Sequence, residues 1–452
     1  MFCQVLNFPN ISLHKINVQN YREISLAILI HNHKNNTRLY ESIEYFFSKL
    51  NLDKSIKKTS TYLVQGTIRE LSSLDIVFED LIKKYHNSIP IEIKYILRLG
   101  YYQIKNMSSP NYAIVSSYVD ISKKYNMKFH KMVNAVLRKS IKYKIKFKNP
   151  NIHTKSKLLN HPDWLYRKWI NDNSEEYAEK MAIWNNTIPL IWFRVNELRY
   201  DIKSFITYLK LKNISFKQYN YNNIYFNINQ SSSLIYSELF KEGKITIQNP
   251  FSGFVCNLME LKENDIIIDA CAAPGGKTSY LGELMKKNSV LYAHDLSNDR
   301  LKLLKNTLSR MKLNHINISK KEVTIDKLNL ANKILLDVPC TGSGVLNKYP
   351  DIKWRKNKSD LDEMVEIQKK IISNASRFLK NGGLLVYSTC SIEVEENESI
   401  IKWFLNKKSN FHIKKIANII PDRFIDNNGF FSTIPYKDYI DGGFAAVLVK
   451  ND

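Results

Sequence analysis

Two cysteines stand just past the ends of two apolar runs. Lys333 to Val338 reads as a strand and leads into Asp337-Val338-Pro339-Cys340-Thr341-Gly342-Ser343-Gly344; Leu384 to Thr389 leads into Cys390-Ser391. Two thiols at strand ends suit one difficult reaction. Carbon 5 of cytosine is a poor nucleophile, but a thiolate adding at carbon 6 turns it into an enamine-like centre able to accept a methyl group, which splits one hard step into easier ones. The ring must also gain positive character, and Asp337, three residues before Cys340, is an acid able to supply it near N3 and the exocyclic amine. Afterwards the carbon 5 proton must leave and the thiolate must be expelled, which a second cysteine or a base can assist. The residue types alone do not decide which cysteine attacks.

A methyl donor needs its own site. The run Ile266 to Asp269 reads as a strand that enters Ala270-Cys271-Ala272-Ala273-Pro274-Gly275-Gly276-Lys277-Thr278, where paired glycines let backbone pass close to a ligand and the following helix offers free N–H groups. A phosphate-binding loop ending Gly-Lys-Thr needs a glycine where Cys271 stands, and G-x-G-x-x-G is absent, so ATP and dinucleotides are disfavoured. Asp295 ends the next strand, about 20 residues beyond the glycines, the distance at which a carboxylate meets ribose hydroxyls; the plainer reading is a strand-end cap. A ribose-bearing ligand without a bound triphosphate remains, and S-adenosylmethionine meets that description.

These residues need a frame to converge on. Strand-like runs Ile266 to Asp269, Val290 to Asp295, Lys333 to Val338 and Leu384 to Thr389 alternate with helical stretches Lys277 to Met285, Arg300 to Met311 and Leu361 to Leu379, whose apolar face includes Gln368. Continuous apolar strands separated by helices predict a parallel sheet covered on both faces, with ligands outside the carboxyl ends of its strands. Ser25 to about Ser140 reads instead as amphipathic helices: Ile93, Ile96, Leu97 and Gly100 share one face, Val115, Tyr118, Val119 and Ser122 another, Met132, Val133, Val136 and Leu137 a third. Ile141 to Lys157 carries lysines without an acid and has the composition of a basic connector. Between them and the sheet, strand-like Ile191 to Val195 and Ile224 to Ile228 flank a helix at Ile202 to Leu211, a small α+β domain.

Composition agrees with several domains and a polyanionic partner. The chain has 452 residues, 44% of them hydrophobic, and a formal net charge of +24, which favours nucleic acid, although Asn, Ile and Lys enrichment also follows from an AT-rich genome. Of the five cysteines none forms a C-x-x-C pair, so neither a disulfide framework nor a zinc site is expected, and Cys3 and Cys256 read as small buried hydrophobes. No run approaches a membrane span, and Met1 to Asn10 lacks the pattern of an export signal; a cytoplasmic protein is expected.

The motifs carry a resemblance. Asp269 to Thr278, Asp337 to Cys340, Tyr349-Pro350-Asp351-Ile352-Lys353-Trp354, and Tyr387 to Ser391 with Glu395-Glu396-Asn397 resemble the RNA 5-methylcytosine methyltransferases of the Sun (RsmB, Fmu) type. Leu97 to Ile104 and Val133 to Arg138 are similar to the helical NusB-like RNA-binding domain of that family. The resemblance implies residues 1–148 as an all-α NusB-like domain, 149–245 as a basic linker and small α+β domain, and 246–452 as a Rossmann-like class I methyltransferase domain. It implies S-adenosylmethionine held by Cys271, Ala272, Ala273, Pro274, Gly275, Gly276, Lys277, Asp295 and Asp337, with Cys390 as nucleophile and Cys340 assisting release. It also implies 16S ribosomal RNA, free or in an early assembly particle, as partner, modified at the cytosine 967 type of position. No metal, membrane or protein partner is implied, and a monomer is expected. The family's Gly-Asp pair after the third strand is replaced by Lys320-Lys321-Glu322-Val323, where Glu322 stands in for the acid that contacts adenosine. Two other readings compete: a non-catalytic RNA-binding, assembly or antitermination-like factor, and a 5-methylcytosine methyltransferase acting on tRNA. A NAD-dependent oxidoreductase would share the sheet but has no use for two strand-end cysteines.

Overall fold

The computed structural model describes residues 16–82, 89–144, 149–229 and 231–451; Cys3 and the lysines at 146 and 148 lie outside them. The chain divides into two compact units, Met1–Thr187 with Leu346–Asn357, and Ile188–Val345 with Lys358–Asp452. No helix among the described residues is long and apolar enough to cross a membrane.

The first unit is helical. Its described helices include Tyr21–Asn35, Leu39–Lys49, Lys54–Arg69, Leu71–Leu81, Ile91–Asn106, Asn111–Asn126 and His130–Ser140. The expected stripes meet in one core, where Ile93, Ile96, Leu97, Tyr118, Val133 and Leu137 are wholly buried. Gly100 is there because the helices touch: a Cβ would lie 2.9 Å from a Leu137 methyl. Arg98 holds Asp75 with two hydrogen bonds of 2.8 and 2.7 Å. Ile152–Leu158, expected as connector, is helical, capped by Asn151, and helices Asp163–Asp172 and Glu175–Asn185 follow in the same unit.

An excursion from the second half of the chain completes this unit. Within Leu346–Asn357, Asp351 accepts the N–H of Leu39 at 3.0 Å, supplying an acceptor at the start of a helix whose own cap residue is Arg38. Lys353, 1% exposed, donates to Arg69 O and Asn186 Oδ1, and Trp354 Nε1 donates to Ile68 O at 2.8 Å. Burial, reinforced by Arg69, holds the Lys353 ammonium well below the ordinary lysine range. The segment Tyr349 to Trp354, read above as part of the methyltransferase pattern, therefore serves as a plug in the helical unit.

The second unit begins with strands β1 (Trp192–Val195), β2 (Phe216–Gln218), β3 (Tyr225–Ile228) and β4 (Ile245–Ile247), an antiparallel sheet of order β2-β3-β1-β4 carrying helix Ile202–Leu211. The large sheet follows: β5 (Ile266–Asp269), β6 (Val290–Asp295), β7 (Asn317–Lys320), β8 (Ala331–Asp337), β9 (Leu379–Thr389), β10 (Phe411–Ile413), β11 (Phe431–Thr433) and β12 (Gly443–Lys450). Its order is β10-β12-β9-β8-β5-β6-β7, with β11 paired to β12. The strands from β7 to β9 are parallel as expected, while β10, β11 and β12 pair antiparallel, making the sheet mixed. From β5 the chain proceeds outward to β6 and β7, then returns to the other side of β5 as β8. That reversal is the switch point where α/β sheets bind ligands.

Arg194 on β1 ties the two sheets. It is wholly buried, forms an ion pair with Glu283 on helix Gly276–Leu284, lies 4.2 Å from the Tyr280 ring centroid, and donates to Gln248 Oε1 at 2.6 Å. Gln248 in turn donates to Gly276 O at 2.8 Å, so the small sheet fixes the first turn of that helix.

Candidate active site

The turn after β5 is shaped by backbone rather than by bulk. Gly275 has φ of 104°, a conformation side chains rarely adopt, and a Cβ on Gly276 would meet nothing within 4 Å, leaving the helix N-terminus open to space. Thr278 Oγ1 donates to Asp269 Oδ2 at 2.7 Å, while Asp269 Oδ1 has no partner among the described residues. Cys271 is pushed up by burial and by neighbouring carboxylates, which makes it an inert thiol.

Asp295, 2% exposed, ends β6 beside this turn. Its oxygens accept Ala273 N at 3.2 Å and Ser297 N at 3.1 Å, and Arg300 approaches to 3.3 Å while donating to Ala273 O. The carboxylate thus caps strand end and turn, and it lies at the carboxyl edge of the switch point as well. Glu322 follows β7 with an exposed side chain that accepts Thr324 Oγ1 at 3.0 Å; the adjacent Lys321 N–H donates to Asp295 O, so Glu322 is at the same edge.

Asp337 ends β8 and accepts Lys277 Nζ at 2.7 Å. Burial opposes the Lys277 charge, but the Asp337 carboxylate outweighs it and the ammonium titrates above its usual range. The structure therefore joins Asp337 to the helix behind the glycine turn, a link the sequence reading did not contain.

Cys340 and Cys390 meet. β8 and β9 are parallel neighbours, with Asp337 registered on Ser388, so the two loops leave the sheet side by side and bring Sγ to Sγ at 3.2 Å. The hydrogen bond with Cys390, and then burial, raise the Cys340 thiol well above its ordinary range.

A buried polar network holds the two loops, and the sequence assigned no role in it to Glu396 or Gln368. Glu396, wholly buried, accepts Thr341 N at 2.8 Å and Thr341 Oγ1 at 2.5 Å, and Gln368 bridges Pro339 O at 2.9 Å to Glu396 Oε1 at 3.0 Å. On the other loop Asn397 donates to Ser391 O and accepts Thr389 Oγ1, while Tyr387 Oη donates to Glu396 O. Gly344 N donates to Cys390 O at 3.0 Å, and Gly442 N to Gly344 O at 3.0 Å. A side chain on Gly344 would overlap Gly442 O, its Cβ only 2.1 Å away. The sequence signal for Gln368 was a polar residue inside an apolar helical stripe.

Asp269 makes the site sensitive to pH. Burial raises it from the ordinary 3.8 to about 7, against the opposing pull of Thr278. The unfolded chain gives up this proton near 3.8, so stability present below that value is lost as pH rises from about 4 to 7. We expect the melting temperature of Asp269→Asn to match the parent near pH 4 and to exceed it by a few degrees at pH 7. Parallel melting curves across that range would refute the assignment.

Known proteins resemble all three parts of the chain. Residues 256–449 match the family described as 16S rRNA methyltransferase RsmB/F, 19–142 the NusB family, and 161–232 the ferredoxin-like domain of RsmF/B-like methyltransferases. The ribosomal RNA small subunit methyltransferase B of Proteus mirabilis is 30% identical over 397 residues, covering 85% of this chain and 93% of that protein. Among solved structures, PH0851 is 25% identical with a TM-score of 0.79, covering 95% of this chain and 99% of that one. A methyltransferase homolog protein from Pyrococcus horikoshii is 28% identical with a TM-score of 0.57, covering 67% and 100%. The helical NusB-like unit, the small middle sheet, and the mixed sheet that brings two thiols together at its switch point place the chain in the RsmB/F family of RNA methyltransferases.

Proposed function

We propose that the chain transfers a methyl group from S-adenosylmethionine to carbon 5 of a cytosine in small-subunit ribosomal RNA, through a covalent bond between Cys390 and carbon 6. The observation that carries this reading is the 3.2 Å approach of Cys340 and Cys390 at the ends of the neighbouring parallel strands β8 and β9. Cys390 then adds as thiolate at carbon 6, and carbon 5 becomes the nucleophile that takes up the methyl group. Loss of the carbon 5 proton to a base lets the ring electrons return and expel Cys390. Cys340, a thiol raised above its ordinary range beside the leaving sulfur, assists that expulsion. Asp337, held by Lys277, meets the N3 and amine edge of the base.

The turn fits the donor. Gly276 opens onto space at a helix N-terminus, and the buried Asp269 Oδ1 is unpartnered there among the described residues. Cys271 to Lys277 would line the donor with Asp337, and Asp295 and Glu322 would accept from its ribose and adenosine groups. When bound, S-adenosylmethionine supplies an electrophilic sulfonium methyl. Substrate recognition falls to the NusB-like unit and the basic surface of a chain carrying +24; the enzyme acts as a cytoplasmic monomer.

Incubation with labelled S-adenosylmethionine and unmodified 16S RNA, with tRNA as control and bisulfite sequencing of the product, tests the reading. Label in 16S RNA at a bisulfite-resistant cytosine is expected; label elsewhere, or none, overturns it. For the donor site, Asp295→Ala is expected to weaken S-adenosylmethionine binding at least tenfold by calorimetry, since hydroxyls left unpaired cost about 1–3 kcal/mol. Glu322→Ala should have a smaller effect. Because Asp295 also caps Ala273 and Ser297, unchanged affinity in a variant of unchanged melting temperature would remove its ribose role.

A further inference from the structure

Away from the thiols, the α/β unit has a cavity of about 380 Å³ whose wall includes Trp192, Lys217, Tyr219, Tyr221, Arg423 and Tyr439. That volume is in the range of small-ligand sites, and its chemistry is unusual for a surface cleft. Aromatic rings succeed one another: Trp192 meets Tyr219 at 5.3 Å and Tyr219 meets Tyr221 at 5.7 Å between centroids. Tyr221 and Tyr439 remain 42% and 60% exposed, so each presents part of its ring to solvent. The Arg423 guanidinium stands 5.2 Å from the Tyr221 centroid and is held in place by Tyr221 Oη at 2.8 Å and Asp438 at 2.7 Å. Lys217 and Lys437 add positive charge, and Asp438 is already engaged with Arg423.

Two donors in the wall are unmet. Trp192 Nε1 and Tyr219 Oη have no hydrogen-bond partner among the described residues, although the side chains are 4% and 8% exposed. Buried polar groups left without partners are costly, and sites that tolerate them are commonly completed by a ligand or an ordered water.

The cavity is also tied to the thiols through the chain. Tyr439 lies three residues before Gly442, a stretch of at most about 11 Å, and Gly442 donates to Gly344 O, whose own N–H donates to Cys390 O. A ligand at Tyr439 is therefore close along the surface to the reacting base.

We propose that this cavity receives an unpaired nucleotide of the substrate RNA flanking the methylated one, with its base stacked on Tyr221 and Tyr439 and its phosphate on Lys217 and Lys437. Stacked bases and a basic rim are how proteins hold single-stranded RNA. The proposal rests on the reading of RNA as substrate, and two separate readouts keep them apart.

In the full chain, binding of a mixed-sequence single-stranded oligoribonucleotide is measured by fluorescence anisotropy for the parent and for Tyr221→Ala, Tyr439→Ala and Tyr221→Phe. Methyl transfer to 16S RNA is measured in parallel. Each alanine variant is expected to weaken oligonucleotide binding 5- to 20-fold and to raise KM for RNA by a similar factor. The turnover number and S-adenosylmethionine affinity should stay within twofold, and Tyr221→Phe, which keeps the ring, should bind as the parent does. Parent-like oligonucleotide affinity in both alanine variants, with parent-like melting temperatures, would overturn the cavity assignment whatever the methylation result. Tyrosine-dependent binding without methylation of 16S RNA would sustain the cavity and overturn the substrate reading.

Discussion

Cys390→Ala is expected to lower methyl transfer by more than a thousandfold, a barrier increase above about 4 kcal/mol. Among the described residues no other thiol is poised to replace it: Cys340 is raised well above its ordinary range by its hydrogen bond to Cys390 and by burial, and Cys256 and Cys271 are pushed up by burial. Cys340→Ala should have the opposite signature. Attack at carbon 6 remains available, expulsion slows, and a denaturation-resistant protein–RNA adduct accumulates on gels. Adduct in Cys390→Ala instead would exchange the two roles.

The second large effect concerns truncation. Read from sequence, the helical half buries a core of its own and the remainder carries a complete sheet, so a fragment beginning near Leu158 is expected to fold and bind S-adenosylmethionine while losing RNA affinity and salt dependence. The plug changes that expectation. Without residues before 158, Asp351 loses the Leu39 N–H, Lys353 loses Arg69 O and Trp354 loses both Ile68 O and its place against the helical core. The fragment is expected to be largely insoluble, with less than a tenth of the parent's soluble yield. A fragment from Ile188 in which Leu346–Asn357 is replaced by a Gly/Ser linker of equal length should recover solubility and donor binding. Equal yields for the two fragments would show that the plug needs no partner.

What could be read in advance follows from the range of the interactions. The helical stripes, strands β1, β3, β5, β6 and β8 and helix Ile202–Leu211 are local patterns, and they appear within a few residues of their expected places. The convergence of Cys340 and Cys390 was legible too, because parallel strands send their ends to one edge. The antiparallel β12 was not: Gly443–Lys450 is apolar on both faces and gives no sign of direction until it pairs with β9. Nor were the partners of Glu396 and Gln368, which lie 55 and 29 residues away at Thr341 and Pro339. The Lys277–Asp337 pair spans 60 residues and leaves no periodic trace. Asp295 was legible as a residue of interest but not in its detail, since the same carboxylate that suits a ribose also caps two backbone N–H groups.

The plug has a consequence for the order of synthesis. During translation the helices up to Thr187 emerge long before Leu346, and at about 5–20 residues per second the interval is roughly 10 to 30 seconds. For that time the nascent helical unit carries an unfilled place at the start of Leu39–Lys49 and at the Ile68 and Arg69 carbonyls. A chaperone or the ribosome surface has an opening that exists only until Leu346–Asn357 has emerged, and an mRNA truncated before codon 346 yields a helical unit that never closes.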